Sequence, residues 1–222
     1  GDNELIRNRL SVKPPLCPAV IYGLQNADVT LTDYHVSLNG STFTVAIGEQ
    51  MQTFTTKLLG VHNLQNLLAC IAVAHPLGLP LSKMVYPIRQ LKPVEHRLQL
   101  LPNGYIDDAY NANPAGFRSA LDVLRQFEAQ RVLVTPGMVE LGSRQNALNR
   151  ELGEYAASCC DIAILVGERQ APPLKEGLLA GGFPAENLHV VSTLKEGLAL
   201  LQQLPKQDKR IVLLENDLPD NF

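Results

Sequence analysis

From residue 105 onward, apolar positions come in short dense blocks separated by longer stretches with a helical beat. The blocks are YIDDA at 105–109, RVLVTPG at 131–137, DIAILVG at 161–167, LHVVS at 188–192 and RIVLLEN at 210–216. Between them, residues 114–128, 143–159, 172–181 and 193–204 carry apolar side chains three or four positions apart. That spacing gathers them on one face of a helix. Apolar strands alternating with helices predict βαβ units, hence an α/β fold: a mostly parallel, Rossmann-like sheet with helices on both faces.

The earlier part has a different texture. PAVIYG at 18–23 reads as a strand, and residues 28–60 alternate apolar and polar positions around two turn signals, Asn39-Gly40 and Gly48. Residues 62–78 then place Leu64, Leu67, Leu68, Ile71 and Leu77 at helical spacing, and Gly78 and Pro80 stop that helix. LSKMVYPIRQL at 81–91 predicts one more short helix. The change of texture near LKPVEHR divides the chain into a β-rich and helical part, 1–94, and an α/β part, 95–222.

Ligands of parallel α/β sheets sit beyond the carboxyl ends of the strands, and DDAYNANP, TPGMVELG, VGERQ and ENDLPD all fall there. In the first of these, Asn113 and Pro114 form a helix start, with Asn113 as cap. Capping accounts for neither Asp107 and Asp108 nor Tyr110 and Asn111. In the second, Gly137 and Gly142 permit unusual backbone, Ser143 is placed to cap the next helix, and Glu140 is the charged group at the centre. At the front of the 62–78 helix, Asn63 and Asn66 lie three apart on one face. Capping by His62 or Asn63 is one reading; a pair of amides that donate and accept toward a purine or ribose is the other. His96 and Arg97 mark the junction, where Arg97 reads either as a surface ion-pair partner or as a phosphate or ribose contact.

Composition narrows the choices. The chain has 222 residues, 45% hydrophobic and 5% aromatic, with a net charge of -3 and no basic stripe, which argues against a nucleic-acid partner. No apolar run nears the roughly 20 residues that cross a bilayer, so membrane insertion is not expected. Four cysteines without C-x-x-C spacing suggest neither zinc nor a disulfide framework, and a reducing cytoplasmic setting fits them. Neither G-x-G-x-x-G after the first α/β strand nor G-x-x-x-x-G-K-[ST] anywhere is present. The absent initiator methionine and the polar ending just after a strand read as a piece of a longer protein.

Taken in series, GVHNLQN at 60–66, EHRL at 95–98, DDAYNANP at 107–114 and GMVELG at 137–142 resemble the Mur ligase family over almost the whole chain. The resemblance implies that residues 1–94 are the end of a central ATPase domain without its phosphate loop, and 95–222 the family's C-terminal Rossmann-like domain. It implies an ATP-dependent amide ligase of peptidoglycan precursor synthesis. Such a ligase adds an amino acid or a D-alanyl-D-alanine-type dipeptide to a UDP-MurNAc-peptide through an acyl phosphate, with ATP and Mg. By matching position, Asn63, Asn66, Arg97, Asp108 and Tyr110 would contact ATP, and Asn111, Asn113, Glu140 and Asp217 would face the amine. No catalytic residue or protein metal ligand is assigned, and this piece alone is expected to be inactive. Two alternatives are a polyglutamate- or cyanophycin-type relative and a non-catalytic Mur-like subunit that binds a partner. One departure stands out: where the better-known dipeptide-adding members follow the last strand with a Lys-Gly-Ser-Arg segment, this chain has ENDLPD. Glu215, Asp217 and Asp220 would form an acidic loop that could hold an ammonium group.

Overall fold

The computed structural model of the chain describes residues 2–110, 113–167, 171–205 and 208–216 and contains two units, Gly1–Lys92 and Pro93–Phe222. The first opens with α1 (Glu4–Val12), a helix the apolar pattern did not announce. Asn3 starts it by accepting the Ile6 amide at 3.0 Å. PAVIYG contributes only β1 (Tyr22–Gly23), which pairs parallel with β2 (Val29–Ser37). β3 (Gly40–Ile47) and β4 (Gln50–Thr56) complete an order β1-β2-β3-β4 by antiparallel pairing. Both predicted turns form, with Gly40 and Gly48 at φ of +109° and +56°, conformations open to glycine because it has no Cβ. Phe43 and Phe54 stand opposite each other with ring centroids 5.3 Å apart. Against them α2 (Val61–Ala74) lays Leu64, Leu67, Leu68 and Ile71, and α3 (Leu81–Gln90) adds Leu81, Met84 and Ile88. Leu77, expected on the α2 face, lies beyond the end of that helix and is exposed.

The second unit alternates as predicted. In chain order it holds β5 (Gln99–Leu100), β6 (Tyr105–Asp108), α4 (Pro114–Arg125), β7 (Gln130–Thr135), α5 (Gln145–Ala156), β8 (Ile162–Val166), α6 (Ala171–Ala180), β9 (Leu188–Val191), α7 (Leu194–Gln203) and β10 (Arg210–Glu215). The sheet runs β5-β6-β10-β7-β8-β9. Only the two-residue β5 pairs antiparallel. α7 covers the face that bears Val132, Ile164 and Val212, while Leu133, Leu165 and Leu213 between them are equally buried on the other. Burial on both faces explains why these strands are continuously apolar rather than alternating.

β10, last in chain order, is inserted between β6 and β7. At its amino end Arg210 donates to Leu201 O, Leu204 O and Pro205 O at 2.7–3.1 Å and to Gln130 Oε1 at 2.6 Å. Carbonyls at the carboxyl end of α7, which lack helical partners, are thereby satisfied by a cation. Among the described residues no helix is long and apolar enough to cross a membrane.

Candidate nucleotide- and amine-facing site

The carboxyl tip of β6 is tied to the segment that enters the sheet. Asp107 Oδ2 lies 2.9 Å from His96 Nδ1, and Asp108 Oδ1 accepts the Leu98 amide at 2.9 Å. Tyr110 donates its amide to His96 O at 3.2 Å, and the Arg97 guanidinium rests 4.6 Å from the exposed Tyr110 ring centroid. These contacts hold His96 and Leu98 at φ of +59° and +49°. Such backbone costs side-chain-bearing residues about 1–3 kcal/mol and persists only where surroundings enforce it. Arg97, Asp108 and Tyr110, three of the sequence candidates, are thus gathered at one strand tip, with His96 and Asp107 beside them. Asn113 caps α4 as expected, its Oδ1 accepting the amides of Ala115 and Gly116 at 3.1 and 2.9 Å. Asn111, Asp217 and Asp220 lie outside the described residues.

Across β10, the loop after β7 is held from three sides. Thr135 Oγ1 accepts the Gly137 amide at 3.0 Å. Asn149, 3% exposed on α5, accepts the Met138 amide at 2.8 Å and donates to Met138 O and Gln145 O at 2.8 and 3.0 Å. Asn216 donates from its side chain to Gly137 O at 2.5 Å. Gly137 sits at φ +80°, and a Cβ there would meet Asn149 Oδ1 at 2.8 Å. The loop presents Glu140 to solvent at φ +61°. Ser143 does not cap α5: a 3-10 turn, Gly142–Arg144, leads into the helix, whose N-cap Arg144 makes no side-chain capping bond.

Contrary to expectation, Glu215 is not part of an acidic loop, while Asp217 and Asp220 lie outside the described residues. Glu215 ends β10 opposite Asp108, is 1% exposed, and its carboxyl is electrostatically coupled to that of Asp108. Burial, with the Asp108 charge reinforcing it, pushes the Glu215 carboxyl well above the usual range. Burial also raises Asp108, against the opposing pull of the Leu98 amide and the Glu215 hydrogen bond. Sealed inside the sheet, this carboxyl is not available at the surface to a substrate ammonium.

In the first unit, α2 starts from Gly60 without a side-chain cap, so His62 and Asn63 lie inside its first turn. Asn63 turns its amide nitrogen to Leu59 O at 2.8 Å. Asn66 instead lines a cleft of about 620 Å³ together with His62 and Gln65, over an apolar wall that includes Ile6, Val20 and Ile21. Asn149, Glu215 and Asn216 are the members of these networks whose roles the sequence reading missed. Asn149 had left a signal: a polar residue in register with Leu152 and Ala156 on the buried face of a helix.

Residues 96–214 match the family described as Mur ligase, glutamate ligase domain, and residues 2–74 that described as Mur ligase middle domain. The UDP-N-acetylmuramoyl-tripeptide–D-alanyl-D-alanine ligase of Haemophilus influenzae is 31% identical over 192 residues, covering 84% of this chain and 41% of the relative. Its Escherichia coli counterpart is 33% identical over 175 residues, covering 77% and 38%. The chain therefore spans about two fifths of the length of these relatives. MurF from Acinetobacter baumannii matches with a TM-score of 0.70 at 28% identity, over 89% of this chain and 43% of that one. MurF ligase from Thermotoga maritima in complex with ADP shares the fold, with a TM-score of 0.76 at 20% identity over 97% and 48%. Since the first family match alone covers more than half of the sequence and falls on the sheet whose strand tips carry the gathered polar groups, the chain belongs to the Mur ligase family.

Proposed function

We propose that the chain is part of an ATP-dependent amide ligase that joins a D-alanyl-D-alanine-type dipeptide to a UDP-MurNAc-peptide, in the cytoplasm, for peptidoglycan precursor synthesis. The observation that carries this reading is the pair of rigidly held polar loops at the carboxyl ends of β6 and β7 in a member of this family. The names of the Haemophilus and Escherichia relatives support the dipeptide.

The cleft in the first unit suits a purine: amides and an imidazole at its rim can donate and accept, and its apolar wall can carry a flat ring. Asn66 and His62 take the adenine in this reading, with Asn63 as a support of the helix start. Arg97 and Tyr110 offer a planar cation and a stacked phenol to ribose and phosphate. Asn113 and the Glu140 loop border the amine. When bound, ATP supplies the phosphoryl group that converts the acceptor carboxylate into an acyl phosphate. This chain's residues orient the amine and exclude water from that reactive carboxyl. Among the described residues no group of three or more His, Cys, Asp or Glu could hold a metal, so Mg is given no residue here. The chain also lacks G-x-x-x-x-G-K-[ST], and alone it should release no phosphate from ATP.

In the full-length protein, Asn66→Ala should raise the KM for ATP about tenfold, roughly 1.4 kcal/mol, and leave the KM for the dipeptide alone. Glu140→Gln should do the reverse. An Asn66→Ala enzyme with an unaltered KM for ATP removes the adenine assignment.

A further inference from the structure

β10 stands between the two strands whose tips carry the candidate loops, so consecutive residues at its end reach one loop each. Glu215 faces Asp108 in the parallel register, so their two carboxyl groups stand side by side at neighbouring strand ends. A hydrogen bond between two carboxyl groups needs one proton, which one of them must hold. Asp108 accepts the Leu98 amide and feels the charge of Arg97, both of which favour its ionised form. Glu215 has neither, and its Oε2 is buried without a partner. An unpartnered oxygen is far cheaper on a neutral acid than on a carboxylate. On the other side Asn216, at φ +69°, donates its side-chain amide to Gly137 O.

We propose that the β10 tip is the positioning element of the site: the protonated Glu215 carboxyl donates a hydrogen bond to the Asp108 carboxylate and so fixes the 96–98 segment, while the Asn216 side-chain amide donates to Gly137 O and so fixes the loop that carries Glu140. The surroundings leave Glu215 little other compensation. On the β6 side stand Asp107, Asp108, His96 and Arg97; on the β7 side the strand ends in the neutral Thr135. α4 packs on β10 with Phe117, Ala120, Leu121 and Leu124 buried. The charged Arg118, Asp122 and Arg125 of α4 are instead engaged at Tyr155 of α5. Loss of the Glu215 proton therefore sets two carboxylates against each other at the root of both loops. That these loops face a nucleotide and an amine rests on the ligase reading; the place of the proton does not.

Carbon-13 NMR of the Glu215 side-chain carboxyl in this chain should show it holding its proton to a pH well above the ordinary carboxylate range. Ionisation near the usual ~4.3 overturns the proposal. The sign for stability follows. The folded state holds this proton more tightly than the unfolded chain, so stability is full below the ordinary carboxylate range and falls as pH rises above it. Glu215→Gln keeps a neutral donor and should flatten that decline while leaving amide exchange at Leu98 as slow as before. Glu215→Ala should lower the Tm by several degrees and speed exchange at Leu98 about tenfold. If the alanine variant does not fold, the carboxyl titration and the glutamine variant still decide. Asn216→Ala should speed exchange at Met138 about tenfold and leave Leu98 unchanged; equal acceleration at both sites refutes a separate hold on each loop. A loss of ADP binding or its persistence bears on the ligase reading alone.

Discussion

Two kinds of strand-to-helix turn in the same sheet differ in what they spend on being turns. Between β9 and α7, Thr193 caps the helix by accepting the Glu196 amide at 3.2 Å, and Glu196 accepts the Ser192 amide at 3.0 Å. This reciprocal pair joins strand to helix with no left-handed residue. After β6 and β7 the chain does far more. His96, Leu98, Glu140 and Asn216 are four of the five non-glycine residues with positive φ among the described residues, and all four belong to the strand tips around β10. Buried Asn149 holds both the amide and the carbonyl of Met138, and two carboxyl groups meet at the root. The β9 turn demonstrates that the fold requires none of this. What exceeds a cap at β6 and β7 is the strained, heavily buttressed backbone of the kind that binding loops carry.

The sharpest way to break the contrast is Asn149→Ala. It strips partners from both the amide and the carbonyl of buried Met138 and should cost about 2–4 kcal/mol in denaturant unfolding. A loss well under 1 kcal/mol would mean that the β7 loop is no more tightly held than an ordinary turn. Thr193→Ala should cost about 1 kcal/mol, with faster amide exchange at Glu196 and none gained at Leu98 or Met138. Exchange that spread to those residues would merge the two kinds of turn into one. At the amino ends of β7 and β8, Arg131 holds Asp161 through contacts of 2.6–3.1 Å. Burial pushes Asp161 upward, but the hydrogen bonds and charge of Arg131 outweigh it and leave the carboxyl below its usual range. Its contribution is thus present above the ordinary carboxylate pKa and lost as pH falls below it. With the Asp161 side chain 40% exposed, it is held to under about 1 kcal/mol, and Asp161→Asn should lose its deficit relative to the parent on acidification. Smallest of all, Tyr110→Ala should change stability by no more than about 0.5 kcal/mol while weakening ATP use in the full-length protein. A large fall in Tm would recast the exposed ring as a structural prop.

Local pattern carried most of the element positions. The 3.6-residue beat placed α4 to α7, the dense apolar blocks placed β6 to β10, and Asn39-Gly40 placed the hairpin. Strand order was out of reach, because nothing local tells β10 to enter between β6 and β7. Without that order Glu215 looked like a loop carboxylate, although a residue at the tip of a central strand is sealed by neighbours on both sides. α1 escaped because it buries no residue and so writes no stripe; its cap at Asn3 was the only mark it left. Ser143 misled because it lies inside the 3-10 turn, one residue before the N-cap Arg144 of α5. Asp108, Tyr110 and Arg97 were legible because turn chemistry alone cannot account for a carboxylate, a phenol and a guanidinium at one strand end.

The place of β10 has a consequence for assembly. Until residues 210–215 are in position, β5–β6 and β7–β8–β9 are two ribbons with unpaired inner edges and no hydrogen bonds to each other. The pairing that unites them spans a sequence gap of about a hundred residues on the β6 side, which makes it a slow, late step. A chain halted before Arg210 would display two raw edges inviting foreign strands, and the β7 loop would lack its Asn216 hold. The sheet closes and the jaws are set in the same event.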